Sequence, residues 1–342
     1  MKKKIGLRRA FIVVLSVIVV VFIAAGVAIA GNTYRFRHTT VVIPVEDGHL
    51  EAVLSVPSDG AARGLAVMVH GDGPVESTQD GLYSPWIEGA ASAGYATLSW
   101  SKPGIAGSTG NWLDQSMEDR AAEVSAAIDW ALSEPQVPSS RIVLWGASQA
   151  GWVVPKVVGA RDDIDAVVAV GTAVNWLSQG RFNLLAELEG VTAEERRQAI
   201  AESDTVRSLL ENGATYAEYL AATADEAPMT SDRWSFVARN FEADAVEDLR
   251  GVAARGIPVL LMAGEHDKNV DMAESASVYR EILGDQVTIQ SFDSVHSMAR
   301  PIVEHNGLVG LIVGIFWPRA LLADGVVDAY AAFLRGVDER AE

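Results

Sequence analysis

The chain has 342 residues, 49% of them hydrophobic and 7% aromatic, with a formal net charge of -18 and no cysteine. This composition suits an ordered protein with one large core, or a core plus an insertion. It excludes disulfides, thiolate metal sites and a cysteine nucleophile, and so acidic a body repels phosphate backbones, so no nucleic acid partner is expected.

Residues 1–9 carry Lys2, Lys3, Lys4, Arg8 and Arg9 without an acid, and residues 10–30 follow with Ser16 as their only polar side chain. A helix of that length crosses the hydrocarbon layer, at about 1.5 Å per residue over about 30 Å. The basic flank stays in the cytoplasm, which places the remainder outside. Because the apolar run exceeds the roughly 7–15 residues of a signal-peptide core, it reads as an uncleaved anchor. The alternative is a signal peptide cut after Ala28-Ile29-Ala30, which would leave a secreted protein. A polar linker, 31–38, leads out of this segment.

Two β-branched runs, 39–44 and 49–56, flank Glu46-Asp47-Gly48 and predict a hairpin. Gly64 to His70 is a continuous apolar strand of the kind buried on both faces, ending in the turn Gly71-Asp72-Gly73-Pro74. A helix over 85–93, a strand over 95–100 and a glycine-rich loop over 102–110 come next. Glu118 to Ser133 repeats Ala121, Val124, Ile128 and Leu132 at helical spacing. Strand 142–145 then breaks at Gly146-Ala147-Ser148-Gln149-Ala150-Gly151 before a helix that Pro155 could kink. After strand 164–170, residues 175–255 contain no strand run and are rich in Glu, Ala, Leu and Arg, with a capping box at Thr192-Ala193-Glu194-Glu195. Strand character returns at 257–263 and 286–292. The alternation predicts an α/β fold, a mostly parallel doubly wound sheet, with core residues 39–174 and 256–342 and a helical cap insertion over 175–255. Gly307 to Trp317 is almost wholly apolar but too short to span a bilayer. It reads as a buried helix, or alternatively as a membrane-surface element or an apolar substrate path.

The break at Gly146–Gly151 has the makings of a nucleophile elbow. The serine sits in a strained turn, and small residues two before and two after let strand and helix approach. Those positions are Gly146 and Ala150. A serine needs a base, and the base needs an orienting acid. Of six histidines, His38 and His49 fall in the linker and hairpin, His70 suits shaping the glycine turn, His266 is turned away from its neighbour Asp267, and His305 lacks a partner. His296 follows the last strand, where parallel sheets place their sites. The acid is expected in the loop after the preceding strand; Asp267 is the choice, with Glu265 and Asp271 as rivals. The order Ser148, Asp267, His296 is nucleophile, acid, base. The oxyanion donors are expected to be the backbone N–H groups of Gln149 and Asp72.

With these residues in view, positions 64–336 resemble the α/β-hydrolase superfamily, most of all its esterase, thioesterase and serine-aminopeptidase-like members. The resemblance is carried by His70-Gly71-Asp72-Gly73-Pro74, the 102–110 loop, Gly146 to Trp152, the acid block 264–270 and His296. It implies hydrolysis of an ester, thioester or amide through an acyl-serine intermediate, and a cap over 175–255 that shapes the acyl pocket. No metal or organic cofactor is required. The expected partners are a small acyl ester or short peptide as substrate and a membrane through the N-terminal helix. The reading from another class is a catalytically silent binding protein at the cell surface. Ala150, and the segment beyond His296, depart from the family pattern.

Overall fold

The computed structural model describes residues 2–60, 62–138, 140–223 and 227–339. Met1 of the basic flank, residues 224–226 of the expected cap and 340–342 of the expected core lie outside these.

Helix α1 spans Lys2–Gly31. Its stretch Val14–Gly31 has a mean hydropathy of 2.8 and is 6% buried, long and apolar enough to cross a membrane; a signal sequence has the same character. The hairpin follows as β1 (Phe36–Val45) and β2 (Gly48–Pro57), closed tightly enough that Val45 pairs with Gly48. Strand β3 (Gly64–Val69), helix α2 (Ser84–Ser92), β4 (Tyr95–Trp100), α3 (Met117–Ser133) and β5 (Ile142–Ala147) come next. After the elbow lie α4 (Val154–Ala160) and β6 (Ala166–Val170). Five helices then intervene: α5 (Trp176–Glu187), α6 (Ala193–Glu211), α7 (Tyr216–Ala222), α8 (Ser231–Asn240) and α9 (Val246–Arg255). The chain finishes with β7 (Val259–Gly264), α10 (Met272–Leu283), β8 (Val287–Phe292), α11 (Pro301–His305), α12 (Gly307–Phe316) and α13 (Val326–Glu339).

The eight strands form one sheet in the order β1-β2-β4-β3-β5-β6-β7-β8. β2 is antiparallel to β1 and β4, and every other pairing is parallel. β3, β5, β6 and β7 read as unbroken apolar runs because helices cover both faces, and β4, equally buried, carries Thr97 and Ser99 among its apolar residues. Alternate residues supply two cores. Leu65 and Val67 face Val124 and Ile128 of α3, Val157 of α4 and Tyr279 of α10, whereas Ala66 and Met68 face Trp86 of α2 and Tyr330 of α13.

Three sequence expectations change. The helix after the elbow is not one kinked helix but a 3₁₀ turn, Ser148–Trp152, followed by α4 with Pro155 in its first turn, where a proline has no hydrogen bond to break. Within the expected insertion 175–255, α9 belongs with the core instead, since its Leu249 and Val252 are buried in the sheet core and it packs on α4 and α10. The part that stands off the sheet has its own small core of Leu210, Tyr219, Trp234 and Phe241. Finally, α12 is not a buried helix: none of its residues is buried, and Leu308 is 66% and Leu311 60% exposed. Its neighbours are α11, the turn behind it and the end of α1, none of which covers its outer face.

Candidate active site

Parallel strands deliver three loops to one end of the sheet. The loop after β5 opens with Ser148 at φ +50, a conformation that an L side chain adopts only under constraint. That constraint is the close approach of strand and following helix. A methyl at Gly146 would lie 2.7 Å from Val154 Cγ2 and 3.1 Å from Ala150 Cβ. The room for one methyl in this corner is taken by Ala150, which is wholly buried. The elbow therefore tolerates alanine at position 150 because position 146 is glycine. A side chain at Gly151 would run into the Ala173 carbonyl oxygen and Thr172, at 2.8 and 2.9 Å.

The loop after β8 brings His296 to Ser148, with Nε2 2.9 Å from the serine Oγ. Behind it, His296 Nδ1 lies 2.8 Å from Oδ2 of Asp267, in the loop after β7. Asp267 is fixed from the other side, because its Oδ1 accepts from the backbone N–H groups of Asn269 and Val270 at 2.8 and 2.9 Å. Its side chain is 1% exposed, whereas that of His296 is 20% exposed and open to the cavity described below. The rival acids are elsewhere: Asp271 caps α10 by accepting from Ala273 and Glu274, and Glu265 is exposed. His266 bonds Asp293, away from Ser148.

The loop after β3 runs alongside. A methyl on Gly71 would sit 3.1 Å from Ser148 Cβ, so glycine is what lets this loop touch the serine. The next N–H, that of Asp72, meets no acceptor among the described residues. The N–H of Gln149 lies in the first turn of the 3₁₀ segment, where backbone donors have no partner within the helix. His70 does not take part in proton transfer. Its Nε2 faces the Trp100 carbonyl oxygen at 2.6 Å and its Nδ1 the Tyr83 hydroxyl at 3.1 Å. Burial, reinforced by the positive charge of Lys102, pulls its pKa down to about 3, so the ring is neutral.

Three cations hold these loops. Arg120 is buried and donates to Gln149 Oε1 at 2.6 Å and to the His70 carbonyl at 2.7 Å, tying the loops after β3 and β5 together. Lys102, also buried, donates to the Gly71 carbonyl at 2.5 Å and lies over the Trp112 ring. Burial pushes its pKa well down, with Arg120 nearby adding to the effect. Arg233, from α8 in the insertion, grips the Asp72 carboxylate with Nη1 at 2.9 Å and Nη2 at 2.6 Å. Loss of water would raise the Asp72 pKa, but the hydrogen bonds and charge of Arg233 outweigh it, and the net shift is downward. Arg120 left a signal in the sequence: it sits four residues before Val124, on the apolar stripe of an amphipathic helix, where an arginine needs a buried partner.

A cavity of about 510 Å³ opens beside Ser148 and His296. Its apolar lining includes Leu82, Tyr83, Trp86, Val303, Leu321 and Leu322, and its acids are Glu304 and the Arg233-paired Asp72. None of the described residues of 175–255 lines it. A second hollow, lined by His296 and Asp267, touches the insertion through Phe182, Leu185 and Glu189. Among the described residues no cluster of histidines and carboxylates has the makings of a metal site.

No curated protein sequence matches the chain. Among solved structures it is similar to an esterase of Pyrococcus furiosus, with a TM-score of 0.53 and 17% identity over 82% of this chain and 92% of that one. It is also similar to Est1E of Butyrivibrio proteoclasticus, which has been seen with ferulic acid bound, with a TM-score of 0.54 and 15% identity over 88% of this chain and 100% of that one. A proline iminopeptidase of Mycobacterium smegmatis gives a TM-score of 0.53 and 15% identity over 89% of this chain and 100% of that one. At such identities these likenesses concern the fold. The profile of the family described as serine aminopeptidase, S33, matches residues 60–298, from just before β3 to just past His296. With that span and the sheet order above, the chain belongs to the S33 serine aminopeptidase family of the α/β-hydrolase superfamily.

Proposed function

We propose that the protein is a membrane-anchored serine hydrolase that cleaves carboxylic esters, with its catalytic domain outside the cytoplasm. The observation that carries this is the row Ser148 Oγ, His296 Nε2, His296 Nδ1, Asp267 Oδ2, with separations of 2.9 and 2.8 Å. In this mechanism His296 Nε2 takes the Ser148 proton as Oγ attacks the acyl carbon, and Asp267 keeps the other ring nitrogen protonated and steadies the imidazolium. The N–H groups of Asp72 and Gln149 stabilise the oxyanion. His296 then gives its proton to the leaving alkoxide and activates water for the second half-reaction.

Esters are favoured because the cavity beside Ser148 is mostly apolar, which suits an acyl chain. A second reading, aminopeptidase, is supported by Glu304, which lines the same cavity and could hold a substrate amine. A panel of p-nitrophenyl esters and aminoacyl anilides, run on the wild type, Ser148→Ala and Glu304→Gln, separates them. We expect ester turnover that vanishes in Ser148→Ala and survives in Glu304→Gln. Faster cleavage of anilides, lost selectively in Glu304→Gln, would establish the peptidase reading instead. No turnover of either class would favour a silent binding protein.

A further inference from the structure

The chain leaves α12 exposed in an unusual way. Its sequence Gly-Leu-Val-Gly-Leu-Ile-Val-Gly-Ile-Phe contains no polar side chain. Leu308, Leu311, Ile312 and Ile315 are 66%, 60%, 49% and 50% exposed, at positions i, i+3, i+4 and i+7, so they form a single outward stripe. A soluble protein does not present such a stripe to water without a use for it.

What covers the stripe is indicated by where α12 is fastened. Its carboxyl end is built onto the last turn of α1. Asn32 Nδ2 donates to the Ile315 carbonyl at 2.9 Å, and Arg319, just after α12, donates to the Gly31 and Thr33 carbonyls at 2.5 and 2.7 Å. Any side chain at Gly31 would collide with the Phe316 carbonyl oxygen, so a glycine at the end of α1 allows this junction. Trp317, 46% exposed, and Arg319 stacked on Tyr34 surround it, the residue types that settle at a bilayer–water boundary. The other side of α12 leads to the active site. Gly310 backs onto Val303, and Val303, Leu321 and Leu322 are walls of the cavity that holds Ser148.

We propose that α12 lies in the membrane surface beside the exit of α1, with its Leu308–Ile315 stripe among the acyl chains, and that the substrate is a long-chain acyl ester resident in the bilayer that reaches Ser148 past Val303 and Leu321. The occupant of the stripe is lipid, because α1, the helix it is fastened to, is long and apolar enough to enter a membrane. The substrate part rests on the esterase reading above; the position of α12 does not.

The absence of cysteine gives a clean test. Full-length Leu311→Cys is labelled with a bimane fluorophore and placed in phosphatidylcholine vesicles, with Leu132→Cys, an exposed position at the end of α3, as the comparison site. We expect the probe at 311 to be quenched by brominated lipid and shielded from iodide, and the probe at 132 to behave oppositely. Equal access of iodide to both would overturn the placement of α12. The full-length double variant Leu311→Glu, Ile315→Glu is then assayed on a long-chain acyl ester dispersed in vesicles and on p-nitrophenyl acetate in solution. Loss of at least about tenfold on the vesicle substrate alone supports entry from the bilayer. Equal effects on both substrates, or none, overturn it. A wild type inactive on p-nitrophenyl acetate and unlabelled by a fluorophosphonate would remove the esterase reading while leaving the fluorescence result to stand.

Discussion

At the scale of single residues, the site turns on how little space surrounds Ser148. Gly146 and Ala150 share one corner, and only one methyl fits there. Gly146→Ala should lower stability by roughly 1–3 kcal/mol, the usual cost of overpacking. Ala150→Gly should cost at most about 1 kcal/mol. The double variant should recover only in part, because Val154 Cγ2 still stands 2.7 Å from the new methyl. Denaturant midpoints of the three proteins check this; full recovery in the double variant would show that Val154 yields more readily than the packing suggests. The same crowding explains why Ala150 was hard to weigh from the sequence alone. A pattern of small residues gives sizes, not which member of a pair occupies the shared space. Ser148, Asp267 and His296 could be picked from their order and the strands they follow. Arg120 shows only as a cation on an apolar stripe, and Lys102 not at all, since their partners are backbone carbonyls and a glutamine amide scattered along the chain.

At the scale of elements, the sheet was the most legible part. Unbroken apolar runs mark strands covered on both faces, and each expected strand is present within a few residues of its predicted bounds. Helix packing was less legible, because the sequence does not say which apolar stripe meets which surface. So α9 appeared to belong with the helices of the insertion, although its Leu249 and Val252 complete the sheet core. The reach of the insertion across to the Asp72 loop was likewise invisible. The Arg233–Asp72 pair, with side chains 30% and 41% exposed, should contribute no more than about 1 kcal/mol. Its pH dependence has a defined sign. The Asp72 pKa is lower in the folded protein than its ordinary value of 3.8, so the contribution is complete above that value and disappears as pH falls through the folded pKa. The stability gap between wild type and Arg233→Gln should therefore be constant from about pH 5 to 8 and shrink as pH falls below the ordinary value of 3.8. Thermal melts across that range test it, and a gap that widens with acid would contradict the assignment.

At the scale of the whole molecule, an acidic catalytic body is joined to an apolar helix whose last turn is a structural part. Gly31 and Asn32 are bonded to the α12 region by Arg319 and to Ile315. Cutting after Ala30 would turn Gly31 into a free amino terminus inside that junction. On the anchor reading, protein isolated from membranes should retain residues 1–30 by intact mass. A mature amino terminus at Gly31 would mean that the segment is a signal peptide. Composition and apolar length made this segment readable without a structure, but its contact with α12, nearly three hundred residues away in sequence, could only be found in the fold.

The central claim is that Ser148 is a nucleophile activated by His296. Treating the full-length protein with a fluorophosphonate and mapping the adduct by peptide mass addresses it most directly. The account predicts one covalent adduct, on the peptide containing Ser148, absent in Ser148→Ala and formed at least about a hundredfold more slowly in His296→Ala. An unlabelled wild type, or a Ser148→Ala protein labelled as strongly as the wild type, would contradict it.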